Sequence, residues 1–469
     1  MNVLRSYFIL LTRFRNLKSL IFLFFPIVIT GSFTTLLLLG SYLPKYRALA
    51  LFWSEDGWCI SPNSLGNHCF GDFTLPLQSL TVKNPWSPEN GLVYPFPYHA
   101  GILLLFKLGS FLVSSIGFNL VLTIYLAILT LSILSPVISL FFAGLNFRGV
   151  SILLAMICVS FPFLITIDRG NTVGMAVVGL YFAGAGFLRD KPAWIVIGVS
   201  WAAFIRPQYA VLFVLLILLH RLKLFFVTLT CYILALVIPF LYFGNSFTSI
   251  LTEYLRSVRA FSDYQELTNG FPSNYSLSRF FVLCGQIVDL FIPNNIAPRN
   301  LFSSFFENIS PHLSICLAIC LVVILILKRK EIHPLISLCI LMSLTLTIPN
   351  VSYAYYSVFV IVIIALVLQI PEMEFLRQST WANANDLSKA QVLMHLVRSW
   401  NYLWTTRRGI VIAVIAPLLP AVIPLPRSLG YGNGYPSLVA AFWLTVYMQL
   451  LRGRFNRSSN ANYLKVRSQ

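Results

Sequence analysis

Long apolar runs broken by short, mostly basic connections dominate this chain. An α-helix needs about 20 apolar residues to cross the hydrocarbon of a bilayer. Candidate spans are 19–43, 119–145, 149–167, 172–188, 224–243, 312–327, 333–348, 353–370, 410–426 and 435–451. Two shorter runs, 193–205 and 208–220, flank Arg206-Pro207-Gln208. Each is too short for a straight crossing, so the pattern predicts a pair of short helices whose turn sits at depth, buried in protein or hydrated. Two further apolar stretches, 99–118 and 277–292, carry Lys107, Arg279 and Asp289. They are expected to lie on or dip into one membrane face. The layout amounts to about twelve crossings with both termini cytoplasmic.

Composition agrees with the pattern. The chain is 58% hydrophobic and only 10% charged, against about 25% charged in soluble domains. The fold class expected is an all-α polytopic membrane protein, a single domain over 1–469. The formal charge of +18 would suit nucleic acid only if it were gathered on one soluble face. Here it is scattered through short loops, as the positive-inside bias produces, and nucleic-acid binding is excluded. Basic residues fall in the N-terminal segment 1–18, in the connections at Arg148, Arg189, Lys191, Arg221, Lys223 and Lys328–Lys330, and in the tail 452–469. Residues 371–409, with Trp381, Trp400 and Trp404, read as an amphipathic cytoplasmic surface helix. Most cysteines lie in or beside apolar runs and suggest no metal cluster. Cys59 and Cys69 share the polar loop 44–98 and are candidates for a disulfide if that loop is extracytoplasmic, or else two free thiols.

That loop is the chemically richest segment. It holds Glu55, Asp56, Asp72 and Glu89, in a chain with 15 acidic residues. The layout places other polar clusters on the same outer face. These are Asp168-Arg169-Gly170-Asn171, Arg206-Pro207-Gln208, Asn274-Tyr275-Ser276, and the run from Asn350 to Tyr356 with Tyr353, Tyr355 and Tyr356. Arginines at span ends also serve as snorkelling anchors, and boundary tyrosines as belt residues. A cation inside a broken hydrophobic stretch, such as Arg206, is costly without a partner, and an anionic head group is a suitable one. The chemistry this suggests is transfer from a lipid-linked phosphate donor. Arg169 and Arg206, with Asn171, would meet the phosphate and stabilise its leaving charge. A carboxylate would act as general base on an acceptor hydroxyl. A single displacement of this kind inverts the anomeric carbon and needs one catalytic carboxylate, not the pair of a glycoside hydrolase. His68 and His99 would either bind an acceptor sugar or be ordinary loop residues, and the second reading is preferred. Trp86, Tyr94, Phe96 and Tyr98 would either stack on a sugar face or anchor the loop.

At these residues the chain resembles a GT-C membrane glycosyltransferase of glycosyltransferase family 87, the actinobacterial polyprenyl-phosphate-dependent mannosyl- and arabinofuranosyltransferases. The likeness runs from about Asp56 to Val367. It rests on Gly71-Asp72-Phe73 followed by Asn84-Pro85-Trp86 and Tyr94-Pro95-Phe96-Pro97-Tyr98, on Arg169-Gly170-Asn171, on Arg206-Pro207, on Asn274-Tyr275-Ser276, and on Pro349 to Tyr356. The family often has lysine before the proline, and Trp with paired His in the last run; here stand Arg206 and the tyrosines. The resemblance implies a GT-C fold, a polyprenyl-phosphate sugar donor, a glycolipid or cell-envelope glycan acceptor, and catalysis without a metal or other cofactor. By family position Asp72 is the expected base and Asp56 the second candidate. Gln208, Asn274, Ser276, Tyr353, Tyr355, Tyr356, Trp86 and Tyr98 are expected at the substrate. A transporter or flippase of a lipid-linked saccharide is the competing reading; it would use the same arginines and no base.

Overall fold

A computed structural model describes residues 70–88, 95–142, 147–244, 246–267, 274–291, 301–330, 332–349, 352, 354–379, 416–418, 424–425, 432–433 and 435–451. The expected first span, Asp56, Cys59, Cys69 and Tyr353 lie outside the described residues, as do both terminal segments and residues 380–409. The described helices are α1 (Gly71–Ser79), α2 (Ala100–Ile116), α3 (Phe118–Phe142), α4 (Phe147–Cys158), α5 (Phe161–Arg169), α6 (Val173–Leu188), α7 (Pro192–Ile205), α8 (Val214–Leu218), α9 (Leu222–Val237), α10 (Phe247–Leu267), α11 (Leu277–Phe291), α12 (Leu301–Leu327), α13 (Pro334–Thr347), α14 (Phe359–Ser379) and α15 (Tyr435–Leu451). A two-residue antiparallel pairing joins Pro424–Leu425 to Gly432–Asn433.

The outer helices of this bundle turn large apolar side chains outward. Phe111, Leu131, Phe142, Phe226 and Leu327 are all exposed. In water such a surface would lose about 25 cal/mol for each Å² of apolar area, so it suits a lipid bilayer. Among the described residues three helical stretches, 118–142, 222–242 and 301–327, are long and apolar enough to cross one. Counting the bent pair α4–α5 as a single span makes four. The remaining apolar helices run 10–17 residues, so the number of crossings read from hydropathy is not reproduced by length and composition alone.

Inside the bundle the packing is close. α6 is buried along most of its length, and α13 is buried throughout from Leu335 to Thr347. α6 and α7 touch through glycines. A Cβ on Gly179 would come within 2.5 Å of the Gly198 carbonyl oxygen, and one on Gly198 within 2.4 Å of the Gly179 oxygen. Small residues at such contacts let backbones approach and gain dispersion where lipid supplies no hydrophobic drive.

The structure differs from the hydropathy reading at four places. The stretch 149–167 is two helices bent by 58° at Val159-Ser160, where Pro162 occupies the first turn of the second helix; Pro is tolerated there but not in a continuous interior. α12 starts at Leu301, before its apolar run. α14 continues to Ser379, through the boundary expected at 370. α10 is absent from the hydropathy layout: its charged residues Glu253, Arg256, Arg259 and Asp263 lower any windowed average, although its apolar positions repeat with a helical period.

Candidate functional site

Local backbone chemistry builds the site before any tertiary contact does. α5 ends in a Schellman motif. The Asn171 amide donates to the Thr166 carbonyl at 2.9 Å and the Gly170 amide to the Ile167 carbonyl at 3.0 Å. Gly170 sits at φ 62°, the left-handed conformation that such a stop requires and that glycine adopts without steric penalty. A Cβ there would also meet the Phe73 Cβ at 3.2 Å. The tight turn brings both Arg169 and Asn171 to Asp72, and Tyr125 holds it by donating to the Gly170 carbonyl at 2.7 Å.

α7 ends for a different reason. The residue before a proline is driven out of the α region, and Arg206 is extended at φ −143°, ψ 111°. The chain restarts at Pro207 as a 3₁₀ segment to Phe213. The short-helix break expected at Arg206-Pro207-Gln208 is therefore present.

Asp72 lies in the first turn of α1 and is buried. The preceding Phe70 is held at φ 43°, a strained setting for a bulky residue. Three side chains from distant segments donate to the Asp72 carboxylate. Tyr98 Oη donates to Oδ1 at 2.7 Å, Arg169 Nε to Oδ2 at 2.8 Å, and Asn171 Nδ2 to Oδ2 at 2.6 Å. The Asn171 Oδ1 accepts from the Val173 amide at 2.9 Å and from Arg206 Nη2 at 3.1 Å. Every polar atom of the Asn171 amide is thus used, and its orientation is set by its partners. The Arg206 guanidinium also lies over the rings of Tyr98 and Tyr356, at 5.1 and 5.8 Å, and Arg169 over Tyr355 at 5.5 Å. Such stacking stabilises a desolvated cation by roughly 2 kcal/mol.

Burial pushes the Asp72 carboxyl up. The charge of Arg169, the hydrogen bonds from Arg169 and Tyr98, and the charge of Arg206 outweigh it and hold the carboxyl below its usual range. Burial, with the Asp72 charge, drives the Tyr98 phenol well above 10, so it remains a donor. Burial and then the Arg206 charge pull His99 down to about 4, against the opposing pull of the Phe204 and Ile205 carbonyls. Its ring is neutral near pH 7. The Asp72 carboxylate is thus paired with one guanidinium, Arg169, and linked to a second, Arg206, through Asn171, and the buried Asp168 directly precedes Arg169.

Seven of the residues singled out in the sequence come together here: Asp72, Tyr98, Arg169, Asn171, Arg206, Tyr355 and Tyr356. Gln208 is turned to α13, donating to the Thr345 carbonyl at 3.3 Å. Three expected substrate contacts have other work. Trp86 is fully buried among Phe240, Phe243 and Tyr254, and its indole donates to the Tyr98 carbonyl at 2.9 Å. It is a loop anchor with no face open to a sugar. The Asn274 side-chain oxygen accepts from the backbone amides of Ser276 and Ser352, both at 3.0 Å. The Ser276 hydroxyl accepts from the Arg279 amide at 3.1 Å at the start of α11. Asn274 thus holds Ser352, just ahead of Tyr355 and Tyr356, while Ser276 caps α11.

Ser257, Glu253 and Tyr209 matter although the sequence reading passed over them, and so does His99, which it favoured as a loop residue. Ser257 of α10 is fully buried; its hydroxyl accepts from the Phe96 amide at 2.7 Å and donates to the Phe96 carbonyl at 3.0 Å. Asn84 bonds to Glu253 on the same helix. α10 thereby clamps the loop that delivers Tyr98. His99 and Tyr209 are buried beside Arg206. Their only sequence signal is adjacency to Tyr98 and to the Arg206-Pro207 break.

Comparison of the chain with protein-family models, curated proteins and solved structures returns no match.

Proposed function

We propose that this chain is an inverting membrane glycosyltransferase that moves a sugar, mannose or arabinofuranose, from a polyprenyl phosphate to a glycolipid or cell-envelope glycan. The observation that carries the reading is the Asp72 carboxylate, buried and bonded to Arg169, Asn171 and Tyr98. A second guanidinium, Arg206, is held next to it through Asn171. In this reading Asp72 is the general base, with Asp56 the second candidate. Arg206 and Arg169 meet the negative charge of the donor phosphodiester. A phosphate that draws Arg169 toward itself weakens the ion pair to Asp72 and returns basicity to the carboxylate. Donor binding and base activation are then coupled. As phosphate leaves, its growing charge is stabilised by the same guanidiniums.

The reading extends to a GT-C arrangement of about twelve crossings, a site on the extracytoplasmic side of a plasma membrane, and both termini in the cytoplasm. No cofactor enters the reaction; the acceptor proton goes to the carboxylate and the polyprenyl phosphate departs with the bonding electron pair. The test uses purified protein in lipid with radiolabelled polyprenyl-phosphate-mannose and polyprenyl-phosphate-arabinose, each offered with a membrane glycolipid extract. Wild type, Asp72→Asn and Asp56→Asn are compared. Transfer from one donor, lost in Asp72→Asn alone, is the expected result. Translocation of a lipid-linked saccharide without transfer, unaffected by Asp72→Asn, would replace the enzyme with a carrier.

A further inference from the structure

Polar atoms in and around the cluster are unevenly matched. The carboxylate of Asp72 and the amide of Asn171 are fully engaged. Around the break between α7 and the 3₁₀ segment, three residues bury polar atoms that find no well-formed hydrogen bond among the described residues. They are Arg206 (Nε), Tyr209 (the hydroxyl) and His99, whose ring nitrogens make no bond of good hydrogen-bond geometry although the Phe204 and Ile205 carbonyls stand near the ring. His99 is 5% exposed and Tyr209 fully buried. The three are grouped about one guanidinium. The Tyr209 amide donates to the Arg206 carbonyl at 3.0 Å. Arg206 lies over the ring of Tyr98, the residue before His99. The His99 ring packs edge-on to Phe204, two residues before Arg206, at 5.9 Å between centroids.

Unmatched buried polar groups are rare because each forfeits its hydration. These three share one property: each can donate a hydrogen bond. A guanidinium Nε–H has no acceptor role, a phenol donates, and a neutral imidazole has one N–H. A set of donors around a cation, without a carboxylate of its own, matches a ligand that offers only acceptor oxygens. We infer that His99 and Tyr209 act with Arg206 as the cradle for the phosphate group of the lipid-linked donor, His99 and Tyr209 each contributing one neutral hydrogen bond beside the charge of Arg206. This rests on the glycosyltransferase reading and names the residues that hold its donor.

The test measures binding to the full-length chain in lipid nanodiscs, with melting temperature recorded in parallel. The probes are polyprenyl phosphate, the neutral polyprenol of equal length, and inorganic phosphate. The variants are Tyr209→Phe and His99→Phe. Loss of one hydrogen bond to phosphate should weaken polyprenyl phosphate by about tenfold in each variant. Polyprenol binding should be weak and unchanged. The ligand-free variants should melt at or above the wild-type temperature, because each removes an unmatched buried polar group. A residue with a merely structural role would lower melting and leave affinity alone. Wild-type binding with unchanged affinity in both variants overturns this cradle and leaves the enzyme reading standing. Equal affinity for polyprenol and polyprenyl phosphate overturns it too. Saturation by inorganic phosphate at the same concentration overturns the lipid assignment. No binding of polyprenyl phosphate by wild type overturns both the cradle and the reading beneath it.

Discussion

Asp72→Asn separates charge from shape at the centre of the cluster. An asparagine there can keep the contact pattern. Its carbonyl oxygen can take the place of Oδ2, accepting from Arg169 and Asn171, and its NH₂ can donate to the Tyr98 hydroxyl, which then serves as acceptor. What disappears is the negative charge. Hydrogen bonds to a charged group contribute about 1.5–3 kcal/mol and neutral ones about 0.5–1.5. Three such bonds put the cost near 3 kcal/mol, at the lower edge of the roughly 3–5 kcal/mol for breaking a buried pair outright. The variant should fold and melt a few degrees below wild type. Transfer should fall by about 10²–10⁴-fold, the usual contribution of a general base. Donor binding should be kept or tightened, since the variant has gained net positive charge around the phosphate. The assay is single-turnover transfer from radiolabelled polyprenyl-phosphate sugar, with donor affinity and melting temperature measured on the same preparations. A folded Asp72→Asn protein that transfers sugar at the wild-type rate refutes the base assignment. Loss of donor binding instead of turnover would move Asp72 into a purely structural role.

Four further outcomes are expected. Gly170→Ala forces a Cβ into a left-handed residue and against Phe73; backbone strain of about 1–2 kcal/mol and separation of Arg169 from Asn171 should cut transfer more than donor affinity, read as kcat against KM. Ser257→Ala removes both bonds to the Phe96 backbone and should lower stability by about 1–3 kcal/mol, measured by thermal melting. Trp86→Ala should destabilise by about 3–5 kcal/mol as a core truncation. Trp86→Phe should melt closer to wild type and leave the KM for either substrate unchanged, as an anchor would and a sugar platform would not. For pH, the folded Asp72 carboxyl titrates below its unfolded value near 3.8. Its contribution is therefore fully present above that value and is lost as pH falls through the folded pKa. From pH 5 to 8 melting of wild type and Asp72→Asn should run parallel, and below the unfolded value the gap between them should narrow; a gap that widens on acidification would contradict the sign.

Hydropathy located most of the bundle because a membrane helix announces itself by length and composition. α3, α9, α13 and α15 lie within a few residues of the runs marked for them. The break at Arg206-Pro207 was legible because proline acts on the residue before it, a local effect. α10 was not legible, since a helix that half faces polar surroundings carries charges that dilute the average. The bend at Val159-Ser160 was hidden inside a run whose hydropathy is continuous across it.

The candidate site divides along the same line. Residue type and position relative to span ends singled out Asp72, Arg169, Asn171 and Arg206, because charged and amide side chains are scarce in so apolar a chain. Partner choice was not local. Tyr98 and Asn171 reach one carboxylate across sequence separations of 26 and 99 residues, and only packing of α1, α5, α6 and the α10-clamped loop decides which oxygen meets which donor. The same packing gave Trp86, Asn274 and Ser276 contacts that support the site's backbone, and buried His99 and Tyr209 beside Arg206. Chemical character and helix-forming tendency belong to each stretch of chain, so they can be read from it directly. Burial and hydrogen-bond pairing belong to surfaces brought together from distant stretches, and these exist only once the helices have packed.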